Sequence, residues 1–166
     1  MCSAAQATCN ANIPLTRPDS RYEVVAGATP AGSEVRDKVT GLVWQRCVVG
    51  MVWSGATCTG TASGMTWQNA LDAARTATAS TTLDATAWRV PNLTELDSLA
   101  ERACYSPAIN TTWFVVTPAE STWSSSPSAD ASDGVFFVDF GYGDTNIGSN
   151  GNDNTGTRVR LVRSGR

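Results

Sequence analysis

The spacing of apolar and polar positions changes character along the chain, and each change marks an element. Residues 1–33 are rich in Ala, Thr and Pro and hold one strand pattern, Tyr22–Ala26; they read as an N-terminal arm lying on a domain formed by residues 34–166. Two short strand patterns then flank Asp37-Lys38-Val39-Thr40-Gly41, whose turn chemistry predicts a hairpin, with Leu42, Val43 and Trp44 as a buried strand. Behind Thr66, the residues Trp67, Ala70, Leu71 and Ala74 recur at helical spacing. They share one helix face, with Thr66 as N-cap and an end near Thr78. Asn92 followed by Glu95 has the form of a capping box, and Leu93, Leu96, Leu99 and Ala100 supply the apolar face of a second helix. Trp88 and Val90 precede it as a short strand.

Beyond the second helix the period becomes two. Trp113–Val116, Thr122–Ser125, Val135–Phe140 and Arg158–Val162 are the strand candidates. Phe136, Val138 and Phe140 point one way, and Val135, Phe137 and Asp139 the other; Val159 and Leu161 alternate with Arg158 and Arg160. Between the last two strands lies Gly141–Thr157, almost wholly Gly, Asn, Asp, Thr and Ser, with Ile147 its only aliphatic residue. Such a segment cannot pack, and it is expected to be a loop joining two antiparallel neighbours. The predicted class is α+β, two helices packed on twisted antiparallel strands.

Composition agrees with a single domain. The chain has 166 residues, 42 % of them hydrophobic, with six tryptophans, enough for a sizeable core. Trp44, Trp67 and Trp88 are expected in it; Trp53 and Trp123 are left unassigned. Lys38 is the only lysine and the net charge is −3, which disfavours nucleic acid or an anionic membrane as a general partner. Charge is uneven: between Arg102 and Arg158 there is no Lys or Arg, but Glu120, Asp130, Asp133, Asp139, Asp144 and Asp153 are present. No apolar run reaches the length of a membrane span.

The candidate chemistry is sparse. Histidine is absent, so Trp123-Ser124-Ser125-Ser126-Pro127 has no imidazole to activate a serine, and no catalytic residue is expected. Asp144, Asn146, Asn150, Asn152, Asp153 and Asn154 could supply oxygens to Ca²⁺, but their spacing matches no EF-hand loop; a solvated, turn-rich segment is favoured, with no metal and no cofactor. Arg89 with Glu95 and Asp97 nearby reads as a structural ion pair at a helix start. The five cysteines form no C-x-x-C, which disfavours zinc and favours disulfides in an exported protein. Cys47 and Cys58 flank a short Gly-containing turn region and make a natural staple; Cys9 with Cys104 is the second expected pair, leaving Cys2 over. The first ten residues lack the basic start and apolar stretch of a signal peptide, so an extracellular or cell-surface location is inferred from the cysteines alone.

Six phrases occur in order: Thr40-Gly41-Leu42-Val43-Trp44-Gln45-Arg46-Cys47, Thr66-Trp67-Gln68-Asn69-Ala70, Trp88-Arg89-Val90-Pro91-Asn92 with Glu95-Leu96, Pro107-Ala108-Ile109-Asn110, Trp123-Ser124-Ser125-Ser126-Pro127, and Arg158-Val159-Arg160-Leu161-Val162-Arg163. Together they resemble the DUF1566 family, the C-terminal domain type of the Legionella collagen-like adhesin, over about residues 35–163. The resemblance implies a C-type-lectin-like fold and a bacterial or phage-borne surface-binding domain. Val90 stands where the family more often has leucine.

The C-terminal part is also similar to the variable regions of DUF1566 targets of diversity-generating retroelements. There, adenine-directed mutagenesis randomises Asn codons, and its products never encode Trp, Gln, Met, Lys or Glu. None of these five occurs from Pro127 to Thr157. The resemblance therefore implies a variable region at about residues 124–157. Its expected ligand-binding surface is Ser128, Asp130, Ala131, Asp133, Phe136, Phe137, Tyr142, Asp144, Asn146, Ile147, Ser149, Asn150, Asn152, Asp153 and Asn154. The expected partner is a protein or glycan on another cell surface. The alternative is an invariant glycan-binding adhesin module, calcium-assisted. A third reading, an enzyme of the formylglycine-generating type, would need a reactive cysteine pair.

Overall fold

The computed structural model describes residues 7–79, 87–130, 132–149 and 156–165. In chain order the elements are β1 (Thr8–Cys9), β2 (Tyr22–Val24), β3 (Glu34–Asp37), β4 (Leu42–Gln45), β5 (Met51–Trp53), β6 (Cys58–Gly60) and α1 (Trp67–Ala79). There follow α2 (Leu93–Asp97), β7 (Cys104–Tyr105), β8 (Ser121–Pro127), β9 (Gly134–Asp139), β10 (Asp144–Ser149) and β11 (Val162–Ser164). The class is α+β. A four-stranded antiparallel sheet runs β11-β4-β3-β2, a three-stranded one β10-β9-β8, and two ribbons pair β1 with β7 and β5 with β6.

The central sheet is buried on both faces. Adjacent residues of β4 point to opposite sides. Trp44 enters a cluster with Tyr22, Val35, Leu96, Leu99, Phe114, Val138 and Phe140, beneath α2. Val43 enters a second cluster with Ala70, Ala74, Trp88, Trp123, Val135, Val159 and Leu161, beneath α1. Strand β9 likewise feeds both clusters, Val138 into the first and Val135 into the second.

Both helices start as their sequences dictate. The Thr66 hydroxyl accepts from the Asn69 N–H at 3.3 Å, and Ala70 and Ala74 turn the small face of α1 inward. At α2 the capping box is complete: Asn92 Oδ1 accepts from the Glu95 N–H and the Glu95 carboxylate accepts from the Asn92 N–H, both at 2.9 Å. The same carboxylate takes both Nη atoms of Arg89, at 2.6 and 2.7 Å. Leu99 and Ala100 are buried, but they lie in the turn after α2, not in it.

The arm is built into the domain from Ala7 onward. Strand β2 extends the central sheet and delivers Tyr22 to the core. Buried Glu101 accepts from the Thr16 hydroxyl and from the N–H groups of Arg17 and Ala103. Buried Asp37 receives a bidentate Arg21, the Nε bond being 2.8 Å, together with the Val39 N–H and the Thr40 hydroxyl. Two disulfides are present, Cys9–Cys104 across β1 and β7 and Cys47–Cys58 beside β5 and β6. In the chain-entropy picture the bridge across 95 residues stabilises by about 4–5 kcal/mol and the one across 11 by about 2–3 kcal/mol. Cys2 lies outside the described residues.

Three expectations are corrected. Gly141–Thr157 is not one loop joining β9 to the last strand: Asp144–Ser149 forms β10, six residues in continuous antiparallel register with β9, and the last strand pairs with β4 instead. The turn works because Gly143 takes φ +83° and the Gly141 N–H bonds the Asp139 carboxylate at 2.6 Å. Trp113–Val116 is a turn, since Asn110 Oδ1 accepts from the N–H groups of Thr112 and Trp113 and closes the chain on itself. Arg158–Val162 is largely not strand, and Arg160 does not face solvent; it is 0 % exposed.

The buried carboxylates set the acid response. Burial alone would raise the pKa of Asp37, but its bonds from Arg21, Val39 and Thr40 outweigh that and hold it below the ordinary value. For Glu101 burial is again outweighed, here by the Ala103, Arg17 and Thr16 donors. A native pKa below the unfolded one contributes stability above the unfolded pKa that is lost as pH falls. The melting temperature is therefore expected to drop progressively once pH falls below about 4.5. Thermal melts of Asp37→Asn should show a shallower acid slope and, at neutral pH, a loss of about 3–5 kcal/mol from the stranded Arg21 charge.

Candidate functional site

The residues singled out in the sequence converge on the β9–β10 hairpin and the turn leading into β9. Antiparallel register puts directly opposite residues on one face. Thr145 and Ile147 thus share a face with Val138 and Phe136, while Asp144 and Asn146 share the other with Asp139 and Phe137. The first face is covered in part by α2, and the Thr145 hydroxyl reaches Asp97 Oδ1 at 3.5 Å. Asp97 in turn holds Arg102 at 2.7 Å.

Exposure divides these residues. Asp130, Asp133, Tyr142, Asp144, Asn146, Ile147 and Ser149 are exposed, Tyr142 at 73 % and Ile147 at 47 %. Phe136 and Phe137 are half-buried. The Phe137 ring stands edge-on to Trp123 with centroids 6.1 Å apart, against the second core cluster. Ser128 is buried; its hydroxyl accepts from the Asp130 N–H and its own N–H bonds the Gly134 carbonyl, so it shapes the turn into β9. Ala131, Asn150, Asn152, Asp153 and Asn154 lie outside the described residues.

The exposed set forms a strip, not a cup. Tyr142 sits at the closed end of the hairpin. Asp133 sits at the open end, where it accepts from the Ser149 hydroxyl at 2.7 Å. Six extended residues separate these ends by about 20 Å. Beneath the strip the support is rigid: the Ser124 hydroxyl bonds the Phe136 carbonyl at 2.7 Å, and Trp123 Nε1 bonds the Met65 carbonyl at 2.9 Å. The Ser126 hydroxyl accepts from the Leu93 N–H at 3.0 Å, which docks α2 on β8. The serine-rich phrase therefore does structural work. Of the six oxygen-bearing residues weighed for calcium, only Asp144 and Asn146 are among the described ones, and no group of three or more metal-binding side chains occurs there.

Sequence reasoning missed two features. Tyr105, 50 % exposed, stands beside the hairpin turn, because the Ser106 N–H bonds the Gly141 carbonyl at 2.8 Å. Only its position after a cysteine could have hinted at this. A cleft of about 490 Å³ also opens between the arm and the turn after β7, lined by Leu15, Arg17, Asp19, Ile109, Asn110 and the Cys9–Cys104 bridge. It exists only through contacts more than 80 residues apart in the chain, such as that of Arg17 N–H with Glu101.

A family model described as the Lcl C-terminal domain matches residues 33–163. No curated protein and no solved structure matches the chain. The division between support and strip has a direct test in substitution. Changes at Asp144, Asn146 or Ile147 should shift stability by no more than about 0.5 kcal/mol. Phe137→Ala should cost about 2–3 kcal/mol and Trp123→Ala about 3–5 kcal/mol, measured by denaturant unfolding.

Proposed function

The chain belongs to the Lcl C-terminal domain family, and from that premise we propose that it is a non-enzymatic binding domain whose β9–β10 surface is diversified by retroelement-driven adenine mutagenesis. Family membership suggests an adhesin-like domain, and with two disulfides it suggests an extracellular or surface protein. Among the described residues no helix is long and apolar enough to cross a membrane.

One observation carries the finer reading. A strand whose side chains are almost all exposed is zipped, residue by residue, to a strand anchored in both core clusters. Side chains on β10 can change while the backbone that presents them stays in place, because loops and edges tolerate change that packed elements do not. The absence of Trp, Gln, Met, Lys and Glu from Pro127 to Thr157 supports the same reading, as does the order of motifs that places this region beside Trp123-Ser124-Ser125-Ser126-Pro127. The proposed ligand is a protein or glycan on another cell surface, met by Tyr142 and by adaptable Asn, Asp and Ser contacts. A C-type-lectin-like scaffold belongs to this proposal. The formylglycine-type alternative loses support, since Cys47 and Cys58 are bonded to each other.

Sequencing the encoding locus in several relatives tests the reading. The expected result is a near-copy of the 3′ end beside a reverse-transcriptase gene, differing at adenines, with codon changes confined between Ser126 and Arg158. A constant hairpin and no such copy would leave a fixed adhesin module.

A further inference from the structure

We propose that the open edge of β10 takes up an extended, cationic peptide segment of a partner protein as an added strand. The inference rests on the reading of this hairpin as a ligand surface and gives that ligand a chemistry. Strand β10 ends the order β10-β9-β8, so only one of its two edges is paired among the described residues. It keeps six-residue register with β9 without a bulge, and it contains neither Lys nor Pro. Bulges, Lys and Pro are among the devices that blunt an edge, and β10 uses none of these three; its one charged residue is Asp144. The end strand β2, by contrast, is only three residues long and carries Glu23 paired with Arg36. An unblunted edge offers its N–H and C=O groups to an incoming backbone, the main source of affinity in strand addition.

Charge identifies the partner. Asp139 and Asp144 are direct cross-strand partners on one face, an arrangement of like charges that costs stability. Asp130 and Asp133 place two more carboxylates at the other end of the hairpin, and among the described residues none of these four has a salt bridge. No Lys or Arg occurs between Arg102 and Arg158 to relieve them, and Arg102 is engaged by Asp97. A cation in an added strand offsets this repulsion; an acidic segment adds to it. The opposite face presents Ile147, so the complementary strand alternates, Lys or Arg toward Asp139, Asp144 and Asn146, and an aliphatic residue toward Ile147.

The test uses labelled peptides and the intact chain. Binding of a capped Lys-Val alternating hexapeptide is followed by fluorescence anisotropy. It is compared with its Glu-Val counterpart, with a blocked Lys-Lys-Lys-Val-Val-Val order, and with a version N-methylated at alternate residues. The alternating cationic peptide should bind, weaken with salt, and lose about tenfold or more in affinity on N-methylation or blocking. The Glu-Val peptide should not bind. Asp139→Asn with Asp144→Asn, which keeps the turn bond to Gly141, should weaken binding and flatten its salt dependence. Amide exchange should slow within Asp144–Gly148. Equal binding of the blocked and N-methylated peptides, or protection elsewhere in the domain, overturns the proposal. So does a chain that takes none of the peptides but binds cells through this hairpin, an outcome that leaves the ligand-binding reading standing. Hairpin substitutions without effect on cell binding would instead remove that reading.

Discussion

The structure depends on where the chain goes in its last described residues. Thr157–Ser164 threads between the two sheets and bonds to nearly everything it passes. Its carbonyls and N–H groups meet Met65, Ser121, Trp123, Val49, Gln45 and Arg89, and its end pairs with β4 as β11. At its centre lies Arg160, a fully buried guanidinium with no salt bridge among the described residues. It donates to the carbonyls of Gln45 and Arg46 and to the Thr117 hydroxyl, and lies 4.9 Å from the Phe114 ring centroid. Burial pulls its pKa down to about 9. A charge so placed is tolerated only because carbonyl dipoles and an aromatic face replace its water. It therefore permits essentially one path for the segment.

That path explains why the hairpin can be both held and free. The threaded segment fixes β8 through Ser121 and Trp123, and β8 fixes β9 through their register. Both strands contribute to the cores. By the time the ladder reaches β10 the core has been filled by its neighbours, and what holds β10 is its backbone pairing with β9 together with the Thr145 and Ser149 hydroxyl bonds to Asp97 and Asp133. A surface strand with no core duty can carry nearly any side chain without loss of the fold. Among the described residues its outer edge is unpaired, and the geometry invoked for the proposed variation also leaves backbone groups for the proposed partner. The proposed variation and the proposed recognition thus rest on one position in the sheet order.

Several other charges are spent on joining distant pieces. Arg89 and Glu95 lock the start of α2 to the strand-like residue that bridges Val162. Arg46 lies 4.0 Å over the Trp53 ring and donates to the carbonyls of Gly32, Thr112 and Trp113. These contacts tie the small Cys47–Cys58 lobe to the arm and to the turn after Asn110. A domain with short elements and much irregular chain has few regular ladders, and bridging arginines supply the missing connections.

Local chemistry alone determined the parts of this protein that obey a local rule. The Asn92–Glu95 capping box, the Thr66 cap and the Ala70 and Ala74 face were legible because caps and periodicity act within a few residues, whereas the burial of Val135 and Val138 on opposite faces of β9 was not. The Cys47–Cys58 pair was legible because the two flank one short turn region, whereas Cys9–Cys104 was one of three pairings then open to Cys2, Cys9 and Cys104. What only tertiary structure decided was whatever depends on a distant partner. Nothing in Asp144–Ser149 alternates, since an exposed edge strand has no apolar face to reveal it; its pairing comes from β9. Arg160 carries a polar signal that solvent-facing strands share, and its burial follows from carbonyls more than 100 residues earlier in the chain. Trp113–Val116 looks like a strand until the Asn110 side chain closes it into a turn. The cleft under the arm likewise needs Glu101 to hold Arg17. Local patterns report local free energies, whereas the site is made where segments far apart in sequence satisfy one another's backbone and charge.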